Sequence, residues 1–205
     1  MSDRYLKIAT TPSVAAAQAR YSGQPRAAAE GPVRNNTLGP HEAAFIQSMD
    51  GFYFGTVSEA GWPYIQYRGG PAGFLRVLDA ERIGFADFAG NRQYLTAGNL
   101  GASRKVALFL MDYANRRRLK LFGHATIIDP ADDEPLSEAL AVADYRAKVE
   151  RLIVSRVEAF NWNCSRHIAR RFHAADVAAA LAARDARIAE LTAESERLRT
   201  LCGAS

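Results

Sequence analysis

The alternation of apolar and polar positions is strand-like from residue 52 to residue 128 and helix-like on either side. Phe52–Val57 is rich in aromatic and β-branched residues, and Trp62–Arg68 alternates after a Glu59-Ala60-Gly61 turn, so the two predict a hairpin. Gly69-Gly70-Pro71-Ala72-Gly73 interrupts, and Phe74–Leu78 and Arg82–Ala86 predict a second pair across Asp79-Ala80-Glu81. After Gly90-Asn91-Arg92 come a short helix at Gln93–Gly98, an apolar strand at Val106–Met111 and a longer strand at Arg117–Ile128. Gly123 inside this last strand signals a bulge or a close backbone approach. About six strands at such spacing, joined by tight turns, predict a small antiparallel barrel or sandwich rather than a parallel sheet.

The flanks change period. The first forty residues are rich in Ala, Gly, Pro and Gln and hold one short helix candidate, Ser13–Tyr21, as expected of an arm that packs on something else. Pro40–Met49 predicts a helix with Pro in its first turn and Ala44, Phe45 and Met49 on one side. Downstream, Leu136, Leu140, Ala143 and Val149 stand at helical spacing and predict a helix over Pro135–Leu152, while Ile153–Trp162 reads as a further strand. Ala174–Leu201 contains no Gly or Pro. Set in heptads, Leu181, Ile188, Ser195 and Cys202 share one seam position, and Val177, Arg184, Leu191 and Leu198 the other. Arg184 and Ser195 interrupt the seam, which leaves a short dimeric coiled coil and a helix lying on its own barrel as alternatives. The expected organisation is an N-terminal arm over 1–39, a barrel over 40–173 and a C-terminal helix over 174–205.

A chain of 205 residues buries one good core with an appended helix, hardly two full domains. With 48% apolar and 23% charged residues it has the balance of a folded protein. Its longest notable apolar run, Val106–Met111, is too short to span a bilayer, and no signal-type apolar core follows Met1–Lys7, so a cytoplasmic protein without a membrane partner is expected. Cys164 and Cys202 lack the spacing of a disulfide framework and are expected as free thiols. The formal charge of +4 is modest. Its one cluster, Asn115-Arg116-Arg117-Arg118-Leu119-Lys120, is either a solvated strand face or a phosphate contact.

Several chemistries lack their signatures. There is no Gly-rich dinucleotide or nucleoside-triphosphate motif and no Gly-x-Ser-x-Gly nucleophile elbow. The four histidines are dispersed, and the Cys164/His167 spacing supplies only two ligands, so no metal is expected. What does stand out is Gly90-Asn91-Arg92-Gln93, where a guanidinium, side-chain amides and exposed backbone amides meet at one spot. That is a donor set for a phosphate, although a plain polar turn before a helix reads the same way. Gln66 and Arg68, two apart on a strand, share a face that points either toward a ligand or to water. Tyr67, Trp62 and Trp162 are wide enough to stack on a flat ring, but buried aromatics are mostly core.

The run from Gly61-Trp62-Pro63-Tyr64-Ile65-Gln66-Tyr67-Arg68-Gly69-Gly70 through Gly84-Phe85-Ala86-Asp87-Phe88-Ala89-Gly90-Asn91-Arg92-Gln93 to Gly98-Asn99-Leu100, with the Leu-x-Leu-x-Gly-x-Ala pattern of Leu119–Ala125, resembles the pyridoxamine 5'-phosphate oxidase-like family of FMN-binding split barrels. Asn163-Cys164-Ser165-Arg166-His167-Ile168 is similar to a segment of a flavin-nucleotide-binding branch of that family. The resemblance implies a mainly β fold with flanking helices, built on a six-stranded antiparallel split β-barrel, and a homodimer that holds FMN at the subunit interface. It implies that Asn91, Arg92 and Gln93 hold the phosphate. Gln66, Tyr67 and Arg68 are further cofactor-binding candidates, with Arg68 as the positive charge that favours reduced flavin. Arg118 is expected to reach the cofactor of the partner subunit, and Asn163 and Cys164 to line the pocket.

The function this implies is an FMN-dependent oxidoreductase acting on a small-molecule substrate, with NADH or NADPH as candidate donor and no nucleic acid as partner. True pyridoxamine phosphate oxidases end in an Arg-Trp…Arg-Leu-x-Pro segment, whereas this chain has Asn161-Trp162-Asn163-Cys164 and a charged helix, which argues against vitamin B6 oxidation. The alternative is a non-catalytic flavin or haem binding and storage protein. A third reading, a nucleic-acid-binding barrel using Arg116–Lys120, predicts salt-sensitive oligonucleotide binding.

Overall fold

Seven strands form one antiparallel sheet in a computed structural model that describes residues 2–24, 33–162 and 166–203. In chain order the elements are β1 (Ser2–Asp3), α1 (Arg4–Ala9), α2 (Pro12–Ser22), β2 (Val33–Arg34), α3 (Pro40–Gln47), β3 (Gly51–Val57), β4 (Pro63–Gly69), β5 (Arg76–Val77), β6 (Arg82–Phe88), α4 (Leu95–Ala102), β7 (Lys105–Asp112), β8 (Arg117–Ile128), α5 (Glu134–Ala139), β9 (Val149–Trp162) and α6 (Ala174–Gly203). The chain divides into two units: residues 1–112 with 117–166, which carry the sheet, and residues 113–116 with 167–205, which carry α6. None of the described helices is long and apolar enough to cross a membrane.

The strand order is β4-β3-β7-β8-β9-β6-β5, and the sheet does not close on itself. This corrects the expected six strands. β9 runs fourteen residues between β8 and β6, and its first four were expected in a helix over Pro135–Leu152. That helix is only α5, capped by Asp133, whose carboxylate accepts the Leu136 N–H at 3.0 Å. Beyond it Asp144 takes a positive φ of 58°, where a helix cannot continue. The helical spacing of the apolar residues reflects a shared destination instead: Leu140 and Leu152 meet Ala86 in a small cluster, with Leu136 and Val149 packed against it.

One face of the sheet is the main core. Phe52, Phe54, Phe85, Leu108, Leu110, Leu119, Leu121 and Ile153 are all at most 2% exposed, as alternation on half-buried strands requires. α3 adds Phe45 and Ile46 to that core; its Pro40 occupies the first turn, and the Glu42 carboxylate accepts the Gly39 N–H at 3.1 Å. Gly123 is where β8 changes register against β9, and a Cβ there would lie 2.6 Å from the Arg156 carbonyl oxygen.

The N-terminal arm packs on the outer face of the same sheet. Tyr5 of α1 stacks on Phe122 of β8 with centroids 4.4 Å apart, the Lys120 ammonium lies 4.9 Å from the Tyr5 ring, and Arg4 pairs with Glu158 of β9.

Candidate functional site

β4 is an edge strand, and its side chains alternate between two environments. Tyr64, Gln66 and Arg68 face a small open cleft with about 40 Å³ of water-accessible space, while Ile65 and Tyr67 face outward at 68% and 56% exposure. Across the cleft stand Asp87 of β6, the 90–94 turn, the start of α4, and Glu150 and Arg151 of β9. Arg68, Arg92 and Arg151 outnumber the carboxylates Asp87 and Glu150 among the lining residues, which suits an anionic ligand.

Asp87 organises the floor. It is only 4% exposed, and Arg151 is its register partner on β9. Arg68 Nη1 donates to Asp87 Oδ1 at 2.5 Å, and Arg151 Nε donates to Oδ2 at 2.7 Å. Burial pulls the Arg68 guanidinium below the ordinary arginine value; Asp87 opposes that shift, and a guanidinium stays charged regardless. Arg68 Nε is buried and has no partner among the described residues, so one donor of this group is unspent there. Arg151 also donates to Glu150 at 2.5 Å, and its guanidinium carbon lies 5.0 Å from the centre of the Tyr94 ring.

The turn before α4 is held in an unusual backbone shape. Asn91 Oδ1 accepts the Gln93 N–H at 3.2 Å, and Arg92 and Tyr94 take positive φ values of 60° and 53°. Each left-handed non-glycine residue costs about 1–2 kcal/mol, and the local Asn91–Gln93 hydrogen bond offsets part of that cost. α4 then begins at Leu95 with no side-chain cap, although the sequence predicted its start at Gln93. Its first backbone N–H groups therefore stay available at the cleft, where the helix dipole favours an anion. Thr96, 3% exposed, donates from Oγ1 to Gln66 Oε1 at 3.0 Å, and Tyr64 OH donates to the same oxygen at 3.4 Å. With that oxygen committed, any contact from Gln66 to a ligand runs through its NH2 group.

Five of the nine residues singled out from sequence, Gln66, Arg68, Asn91, Arg92 and Gln93, thus line one cleft. Tyr67 does not: it lies on the opposite face of β4, edge-on to Tyr53 at 5.6 Å, over Gly51, where a Cβ would collide with its ring. Burial, with Asp50 and Tyr53 adding to it, raises the Tyr67 phenol above its ordinary value. Arg118 is also outside the cleft, on the outer side of β8, 5.7 Å from the centre of the Phe109 ring, and its buried Nε has no partner among the described residues. Asn163 and Cys164 lie outside the described residues. Trp162 belongs to the core, its indole packed edge-on against Phe45 and donating to Glu42 at 2.8 Å.

Sequence reasoning missed Asp87, Glu150, Arg151, Tyr64 and Thr96. Tyr64 was legible, because it continues the period-two face of Gln66 and Arg68. Asp87 carried a signal as well, a lone carboxylate inside the apolar run Ile83–Phe88. Arg151 was hidden by the helical reading of its segment.

This is the architecture of an open antiparallel barrel with a cationic cleft beside a strained turn and an uncapped helix start. A family model for pyridoxamine 5'-phosphate oxidase matches residues 38–168, more than half of the chain, and the chain belongs to that family. No curated protein matches it. Among solved structures, HupZ from Group A Streptococcus is 16% identical over 66% of this chain and 99% of its own, with a TM-score of 0.49. A Clostridium acetobutylicum protein related to general stress protein 26 of B. subtilis (pyridoxinephosphate oxidase family) is 17% identical over 67% and 94%, with a TM-score of 0.44. An FMN-binding protein from Syntrophomonas wolfei is 12% identical over 60% and 83%, with a TM-score of 0.46.

Proposed function

We propose that the protein binds flavin mononucleotide in this cleft, as a homodimer, and serves as an FMN-dependent oxidoreductase for a small-molecule substrate. The observation that carries this reading is the convergence of Arg92, the left-handed turn and the uncapped start of α4 beside the Arg68–Asp87–Arg151 network. A terminal phosphate needs several fixed donors, and this chain offers backbone N–H groups, the Asn91 and Gln93 amides and a guanidinium in one place. The unspent Nε of Arg68 and the NH2 group of Gln66 are donors for the rest of the cofactor. Flavin, when bound, supplies reversible redox chemistry of its own. The part of this chain is to hold it, to keep the Arg68 charge fixed against Asp87, and to leave room for a substrate.

The homodimer is supported by the outer face of β3 and β4, where Tyr53, Val57, Ile65 and Tyr67 are all more than a third exposed. Apolar side chains gathered on one sheet face suit a partner surface. On β8, separated from β3 by β7, burial and then repulsion from Arg118 pull the Lys120 ammonium below its ordinary value. Arg118, with its unspent Nε, is the residue offered to the cleft of the second subunit.

Absorbance of purified protein after FMN addition and desalting, followed by anaerobic titration with NADH and NADPH, tests this reading. Retained flavin that is reduced by either nucleotide and reoxidised by an acceptor supports the oxidoreductase. Retained flavin without turnover marks a carrier, and failure to retain FMN overturns the reading altogether. Ile65→Asp is expected to lower both the solution mass and FMN retention; a monomer that retains FMN fully would remove the shared site.

A further inference from the structure

α6 spans thirty residues, about 45 Å of helix, and all its described side chains are exposed except the half-buried Ser195. Val177, Leu181, Ile188, Leu191, Leu198 and Leu201 are each 42–62% exposed. Five of these six follow the 3.5-residue seam of a coiled coil, and two shallow grooves run along that seam, one from Phe172 to Arg184 and one from Leu191 to Cys202.

We infer that α6 pairs with α6 of a second copy of this chain in antiparallel orientation, in the register that sets Ile188 opposite Leu191 of the partner subunit. The inference does not depend on the cofactor reading. Its basis is how the chain's irregularities fall. In this register Leu181 meets Leu198 of the partner subunit, and Val177 meets the partner's Cys202. The two polar interruptions meet each other, Arg184 against Ser195 of the partner subunit, so that the guanidinium faces a small hydroxyl.

The flanking positions agree. Arg187 lands opposite Glu194 of the partner subunit, Asp185 opposite the partner's Arg199, and Leu201, apolar where a charge is usual, opposite the partner's Ala180. Two-fold symmetry makes each of these pairs occur twice. Within one chain Arg187 makes an i,i+3 contact to Glu190 at 2.8 Å, with both side chains 66% exposed, and exchanging it is easy. Antiparallel helix dipoles also attract.

A parallel pair does worse. It would face Arg184 with Arg184 and set Arg187 against Thr192, so that Glu194 against Arg199 of the partner subunit is its one charge pair along the flanks. It would also face Cys202 with Cys202. The register fits a second copy for a reason that a different partner would not share: the pattern is complementary to its own reverse.

Disulfide trapping in the full chain separates the possibilities. In a background with both native cysteines replaced, Cys164→Ser with Cys202→Ser, Leu181→Cys with Leu198→Cys together should give an interchain disulfide under mild oxidation, whereas either change alone should not. The two positions are about 25 Å apart along one helix, too far for a bond within the chain. Adding Arg187→Glu should weaken pairing about tenfold, by turning two attractive contacts repulsive, and adding Glu194→Arg as well should restore it. Cross-linking by a single cysteine variant, or a Cys202 disulfide between wild-type chains, would show a parallel pair and overturn the register. No cross-link in the double variant, with helix content unchanged by circular dichroism, would overturn the pairing itself. This readout is unaffected by whether the sheets also associate or whether flavin is bound.

Discussion

Arg68 Nη1 lies 2.5 Å from Asp87 Oδ1, and through that contact β4, at one edge of the open sheet, reaches β6 near the other. No backbone ladder joins these strands, so the two ends of the barrel are bridged by side chains: this ion pair and the shared aromatic core, while the Thr96–Gln66 hydrogen bond ties α4 to β4. The same residues line the cleft. Holding the barrel together and shaping its site are therefore one task here.

Replacing Asp87 with Asn should consequently be costly. Arg68 and Arg151, with side chains 14% and 17% exposed, would share one neutral acceptor, and breaking a buried pair in this way costs about 3–5 kcal/mol. Urea denaturation measures it. A loss below about 0.5 kcal/mol, the range of ordinary surface substitutions, would mean that the network is not what holds β4 to β6.

Gly123→Ala tests the bulge between β8 and β9. The added methyl would sit 2.6 Å from a backbone oxygen, which cannot swing aside as a side chain does. A loss of about 1–3 kcal/mol is expected, the usual range for overpacking a tight site, read as a lowered Tm. An unchanged Tm would show that the strands part there without cost.

Glu42 links stability to pH. Burial pushes its carboxyl upward, but hydrogen bonds from the Trp162 indole, the Glu42 and Gly39 backbone and His41 outweigh this and hold it below the ordinary value of 4.5. A depressed folded value means that its contribution is complete above the unfolded value and is lost as pH falls through the folded one. Glu42→Gln should therefore lower stability by about 1 kcal/mol near neutrality, and the gap from wild type should narrow in acid. A gap that stays constant down to acid unfolding would contradict this assignment.

Much of this was legible in the sequence where local pattern and final environment agree. β8 has the predicted limits, Arg117 to Ile128, because its alternation runs unbroken from Arg117 to Thr126 and two β-branched residues follow, and Gly123 marked its own bulge. The Gln66/Arg68 face and the 91–93 turn were readable for the same reason. The pattern failed where tertiary packing overrides it. Leu140 and Leu152 mimic one helix face although they come from a helix and a strand that meet at Ala86, and that error concealed Arg151. Tyr67 shows the converse limit: an aromatic beside two cleft residues is on the other side of a pleated strand by necessity.

Fluorescence titration of FMN with the wild-type chain, with Arg92→Ala and with Arg82→Ala addresses the proposed cofactor site most directly. Arg82 pairs with Asp79 away from the cleft and serves as the control. The predicted result is saturable quenching by the wild-type chain, an unchanged Kd for the Arg82 variant and a Kd raised at least about tenfold for the Arg92 variant, since hydrogen bonds to charged groups contribute roughly 1.5–3 kcal/mol. Equal affinity in all three proteins would contradict the assignment of the phosphate to the turn before α4.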